Sequence, residues 1–164
     1  MIGRDYCLQM CRYNRWMNGK VIDSSAKLSN DLLNLDQGAF FASIMHTLNH
    51  LYIVDQLWLA RFSGAVEPES KIDDLVYSDI EILRQPRIEL DAEAEDFFSQ
   101  CSNDWFEGEL EFTSQADGLL YVVPKALAVM HFFNHQVHHR GQVSTMLYQQ
   151  GMDIGVTDLP RMPL

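Results

Sequence analysis

An apolar stripe at helical spacing recurs along this chain, and it limits the possible folds more than any other feature. Between residues 39 and 62, Ile44, Leu48, Leu51, Val54, Leu57 and Trp58 follow one another at mostly three- or four-residue steps, and Ser63-Gly64 supplies a stop signal. That spacing gathers apolar side chains on one face of an α-helix. An earlier segment, about Asp5 to Leu28, carries Cys7, Met10, Cys11, Met17, Val21 and Ile22 in mainly the same rhythm. A third runs from about Ser78 to Ser102. Ser78 and Glu81 match a capping box at its start, and Pro86 is expected to kink or split it. Its acidic run "ELDAEAEDFF" reads as a solvated outer face. The fourth extends from Pro124, suited to a first helical position, to about Gln150 before Gly151. Between the third and fourth, "ELEFTSQADGLLYVV" partly alternates and contains Asp117-Gly118, which predicts a turn or short hairpin. "SNDLLNLDQG" reads as a polar turn and residues 64–77 as a loop, and the tail holds too many turn residues to continue a helix.

Four long helical segments with no repeat and no linker predict one all-α domain over residues 1–164, a four-helix bundle. With 47 % hydrophobic and 21 % charged residues the composition is that of an ordinary globular protein. A formal net charge of −11 argues against a nucleic-acid binder, which would gather Lys and Arg along the phosphate backbone. No stretch is apolar and long enough to span a bilayer, and the start lacks the pattern of a secretory signal. Three cysteines at irregular spacing do not form a disulfide framework, and Cys7 and Cys11 fit as small core residues. The expectation is a cytoplasmic protein with no membrane and no nucleic-acid partner.

All six histidines lie in two of the helical segments: His46 and His50 in one, and His131, His135, His138 and His139 in the other. Residues four apart stack on one helix face, so His46/His50, His131/His135 and His135/His139 are each able to present two imidazoles to one ion. Spacing alone does not rank the pairs. Neutral imidazole suits zinc, nickel, copper and iron. Neither histidine helix carries the Glu-x-x-His motif of a di-iron bundle, and HExxH is absent. No serine or cysteine stands in a recognisable nucleophile turn, and Ser43 and Ser144 read as small packing residues.

"YNRWMN", "SIMHTLNHLYIVDQLWLARFSG", "HFFNHQVHHRGQV" and the tail "GVTDLP", in that order, resemble the DinB/YfiT-like family of metal-dependent bacterial proteins over nearly the whole chain. The resemblance implies an up-down-down-up four-helix bundle, often a homodimer, holding a divalent metal ion on three histidines. Matched to the family's motifs, these are His50, His135 and His139. His46 and His131 then become supporting or core residues, and His138 turns about 100° away from His139. Arg140 either pairs with an acid such as Asp55 or is a surface cation. Asn49 and Asn134 are candidates to orient the metal ligands, with local hydrogen bonding the plainer reading. Trp16 and Trp58 read as core anchors, and Gly141, costly in mid-helix, suggests close approach of another helix or a ligand.

Family relatives of known activity depend on low-molecular-weight thiols. The resemblance therefore implies a thiol S-transferase in which a divalent metal, zinc or nickel, activates a thiol toward a small electrophile. A metal-dependent hydrolase using water, and a non-catalytic stress-response protein with a structural metal, are the rival readings. Unperturbed imidazoles titrate near 6.5, so the ion would be expected to leave below about pH 6.

Overall fold

A computed structural model describes residues 2–163. Four long helices and one short one make up most of it: α1 (Arg4–Ser25), α2 (Asn30–Asn34), α3 (Ile44–Ser63), α4 (Ile80–Gln100) and α5 (Lys125–Gln149). A two-stranded antiparallel hairpin, β1 (Glu109–Thr113) and β2 (Leu120–Pro124), stands between α4 and α5. Short 3₁₀ turns occupy Asn103–Glu107 and Leu159–Arg161. Among the described residues no helix is long and apolar enough to cross a membrane.

The stripes account for the packing. α1 packs on α4 and α5, and α3 packs on the same two helices, so the four long helices surround a single core. Cys7, Cys11, Met17, Val21 and Ile22 are buried on α1, and Ile44, Leu48, Leu51, Val54, Leu57 and Trp58 on α3. Phe98, Phe132 and Phe133 close the core near the hairpin end, where Phe62 meets Trp105 edge-on at 5.8 Å between ring centroids. Each fully buried side chain of this size contributes about 1.5–3 kcal/mol. The three cysteines are buried and unpaired.

Several boundaries differ from expectation, each for a local reason. Pro86 does not split α4, which runs unbroken from Ile80 to Gln100. The bond it forfeits belongs to the carbonyl of Ile82, four residues earlier on an exposed stretch where water can replace the missing donor. Asp79, not Ser78, caps this helix, accepting from the Glu81 amide at 2.7 Å. Ser43 is not mere packing: its hydroxyl caps α3 by accepting from the His46 amide at 3.2 Å. The polar turn contains α2, capped by Ser29 and anchored by buried Leu33. The hairpin forms as expected, pairing Glu109 with Pro124 through Thr113 with Leu120, and Gly118 takes the left-handed conformation of its turn at φ 72°. Pro124 ends β2 and occupies the N-cap position of α5, so the helix begins at Lys125, one residue later than expected.

Candidate metal centre

Packing of α3 against α5 brings His50 from one helix against His135 and His139 from the other. One nitrogen from each ring lies within 4.8 Å of the other two, a group that could hold a metal ion. The ring centroids stand 4.4 Å apart for His135 and His139, 4.6 Å for His50 and His139, and 5.0 Å for His50 and His135. Among the described residues His46, His131 and His138 stand outside this group.

Hydrogen bonds at the outer nitrogens decide which inner nitrogens are bare. His50 Nδ1 lies 2.7 Å from the Ile72 carbonyl oxygen, which only accepts, so Nδ1 carries the proton and Nε2 keeps its lone pair. His139 Nδ1 donates in the same way to Gln142 Oε1 at 2.7 Å, which leaves its Nε2 bare. His135 Nε2 faces His50 Nε2 at 3.0 Å, while its buried Nδ1 has no hydrogen-bond partner among the described residues. Two nitrogens on one tetrahedral zinc, with bonds of about 2.0–2.1 Å, lie roughly 3.3 Å apart. The His50–His135 spacing is therefore within a few tenths of an ångström of what an ion requires, and the donor set fits a divalent cation that favours nitrogen.

Burial keeps these rings neutral. It pushes His135 down to about 2, helped by the neighbouring imidazoles, and His139 down to about 4 against the opposing bond from Gln142. It also lowers His50 below the ordinary imidazole value, although the Ile72 bond works the other way. Proton competition near pH 6, expected from unperturbed imidazoles, is thus displaced to more acid conditions.

The surroundings are built to hold this arrangement. Asn49 grips Tyr77 from both sides, accepting from its amide at 2.7 Å and donating to its carbonyl at 2.9 Å. This clamp fixes the 64–79 loop, and that loop carries the Ile72 carbonyl which aims His50. Phe41 stacks on the His50 ring at 3.9 Å and meets His139 edge-on at 5.5 Å. The next residue, Ala42, has φ 59°, a left-handed conformation that a residue with a Cβ seldom adopts. The Ser43 cap begins α3 directly after it, so the strained turn delivers Phe41 over the imidazoles.

Other candidates are placed differently. Arg140 is neither a surface cation nor bonded to Asp55: it is buried and donates to Gln136 and Asn14 at 2.7 Å each and to Asn18 at 3.3 Å. Burial pulls it down to about 10. Arg87 is the residue that holds Asp55, at 2.6 Å, and it also holds Asp91 at 2.7 Å. Asp91, though part of the acidic run, is buried beneath it and receives the Asn18 amide at 2.9 Å. Sequence reading missed Arg87; its only signal was the four-residue step to Asp91. Asn134 lies on the exposed face of α5, and Trp16 is only half-buried, with Lys20 over its ring. A Cβ on Gly141 would meet nothing within 4 Å, so no close approach within the chain explains that glycine.

The DinB family profile matches residues 1–163. This chain belongs to the DinB family. Among curated relatives it is similar to "Protein DinB" of Bacillus subtilis (strain 168), with 24% identity over 163 residues, covering 94% of this chain and 91% of the relative. The helical bundle agrees with the fold of the DinB family, and the small hairpin is the only β-sheet among the described residues.

Proposed function

We propose that this DinB-family chain is a metal-dependent thiol S-transferase in which His50, His135 and His139 hold a divalent cation, zinc or nickel. The observation that carries the reading is the fixed tautomer of His50 and His139. Each donates outward from Nδ1, to Ile72 and to Gln142, and thereby presents a bare Nε2 to the common centre. Outer hydrogen bonds of this kind orient imidazole ligands and raise their basicity. A divalent cation, when bound there, supplies a positive charge that lowers the pKa of a thiol, ordinarily near 8.5, and leaves coordination room beyond three histidines. The enzyme reading draws support over a closed four-histidine structural site from the absence of His46 and His131 from the group among the described residues.

The chain's own residues do the positioning. Ile72 and Gln142 hold two rings in place, and Phe41 stacks on His50 and meets His139 edge-on. In the reaction the thiol proton passes to water, a carbon–sulfur bond forms, and the leaving group departs with its bonding pair. We place the protein in the cytoplasm and expect a homodimer. Support for the dimer comes from α5, where Met130, Val137 and Tyr148 form an exposed stripe that includes the bare Gly141. Sedimentation as an 18.9 kDa monomer at micromolar concentration would refute it.

The deciding experiment measures product from a simple electrophile at fixed metal saturation while the thiol alone is varied. A rate that rises with thiol and yields a thioether is the expected result. Metal-dependent cleavage without any thiol would instead establish the hydrolase.

A further inference from the structure

We infer that the groove between the hairpin and α5 is a binding site for the aromatic or branched apolar portion of a small electrophile. Naming an electrophile rests on the transferase reading; the groove and its apolar ligand do not. The cavity has a volume of about 380 Å³, in the range of small-ligand sites, and its walls are Trp58, Phe112, Tyr121, Val123, Leu127 and His131.

Three observations converge here. The first is rigidity. Phe112 meets Trp58 edge-on at 5.1 Å and stacks on Tyr121 at 5.7 Å. Beneath them the Arg61 guanidinium lies 4.4 Å from the Phe112 ring centre and 5.1 Å from that of Trp58, tied to Glu67 at 2.8 Å and to the Thr113 carbonyl at 2.9 Å. Aromatic walls held in advance lose little freedom when a ligand settles between them. The second is continuity with the metal centre. His131 stands in the groove wall 5.1 Å from Trp58 and 5.6 Å from His135, ring centre to ring centre. A molecule seated on Trp58 is therefore one helical turn of α5 from the three-histidine group. The third is composition. Ser114 and Ala128 complete the lining, which includes no carboxylate, ammonium or guanidinium group, and its ionisable side chains are the imidazole of His131 and the phenol of Tyr121. The walls thus favour a ring system without a formal charge, with a polar end directed at His131.

In the transfer reaction such a ligand is an alkyl halide or similar electrophile bearing an aryl group. Its ring occupies the groove while its reactive carbon points along α5 toward His135. The carbon–sulfur bond forms as the carbon–halogen bond breaks, halide leaves with the electron pair, and the thiol proton goes to water.

The test uses the full chain loaded with zinc, with 1-naphthol as an unreactive probe measured by equilibrium dialysis. Val123→Trp and Leu127→Trp fill the groove from two different elements, and zinc content and helical circular dichroism report on their folding. Saturable 1-naphthol binding at one site per chain, weakened at least tenfold in both variants, is expected. Binding that is absent from the wild type, or unchanged in both variants, overturns the inference. A second arm compares 1-(chloromethyl)naphthalene with iodoacetamide in the presence of thiol. The wild-type preference for the naphthyl compound, as a ratio of kcat/KM, should fall at least tenfold in the variants. If neither electrophile is consumed yet 1-naphthol still maps to the groove, the groove stands and the transferase reading falls. If iodoacetamide is consumed but 1-naphthol ignores both substitutions, the transferase reading stands and the groove falls.

Discussion

The Asn49 side chain hydrogen-bonds to Met45 and Tyr77 and to none of the three histidines, yet replacing it should weaken metal binding. Asn49→Ala removes the two bonds that clamp Tyr77, one at 2.7 Å and one at 2.9 Å. Each such bond contributes about 1 kcal/mol net, and the half-buried Tyr77 amide and carbonyl lose their partner as well, so the loss of stability should be about 2–3 kcal/mol. The clamped loop holds the Ile72 carbonyl 2.7 Å from His50 Nδ1. With the loop loosened, the His50 ring is free to turn or to change tautomer. Loss of an outer partner of a metal-bound imidazole typically lowers affinity about 10–100-fold, or about 1.4–2.7 kcal/mol. Urea unfolding of the metal-free protein gives the first quantity, and zinc competition against a chromogenic chelator gives the second. Stability that drops while zinc affinity stays within twofold of wild type would show that the loop does not aim His50.

Four further outcomes follow from the same geometry. His50→Ala, His135→Ala and His139→Ala should each lower zinc affinity by orders of magnitude, whereas His138→Ala, outside the group, should leave zinc content intact; metal analysis after dialysis checks this. In acid, zinc should persist below the pH expected of ordinary imidazoles, because burial holds His139 at about 4 and His135 at about 2; zinc content between pH 7 and 3.5 should show half-occupancy below about pH 5. For the metal-free fold the sign runs the other way. Unfolded imidazoles take up protons below about 6.5 and the folded ones do not, so stability present above that pH should decline between about 6.5 and 4, which thermal melts in that window will register. Arg87→Met strips Asp55 of its only side-chain hydrogen-bonding partner among the described residues, and Asp91 of one of its two there, so urea unfolding should show a loss of about 3–5 kcal/mol.

What could be read from the chain was whatever repeats within a helix. The stripes of α1 and α3 predicted their buried faces, since a 3.6-residue period is written into consecutive residues. Asp117-Gly118 likewise announced its turn through the backbone freedom of glycine. Choosing among the histidine pairs was beyond spacing, because His46/His50, His131/His135 and His135/His139 share one period. It took the family resemblance to select His50, His135 and His139, and the structure brings those three together. Contacts made through loops left no periodic trace: neither the Ile72 carbonyl behind His50 nor the ring of Phe41 over it follows from any local pattern. Charge was misleading in the third segment for a related reason. An aspartate facing inward, such as Asp91, looks the same in a sequence as one facing water, and only its partners, Arg87 and Asn18, reveal the difference.

Those partners carry a consequence for how such a chain can change over generations. Asn14 and Asn18 from α1, Asp55 from α3, Arg87 and Asp91 from α4, and Gln136 and Arg140 from α5 meet in one buried cluster of two guanidiniums, two carboxyl groups and three amides. Apolar stripes alone would tolerate a helix sliding by one turn, about 5.4 Å, since leucine packs on leucine in either position. A slide of that size would break the bonds that cross between helices, from Asn18 to Asp91, from Arg87 to Asp55 and from Arg140 to Asn14 and Asn18. The cluster therefore works as a key that only one alignment of the four long helices turns. Its members are bound to a shared history: a lone substitution strands a charge in the core, while a joint exchange for apolar residues can keep the bundle folded but surrenders the key. Lineages descending from this protein should retain the set together or lose it together.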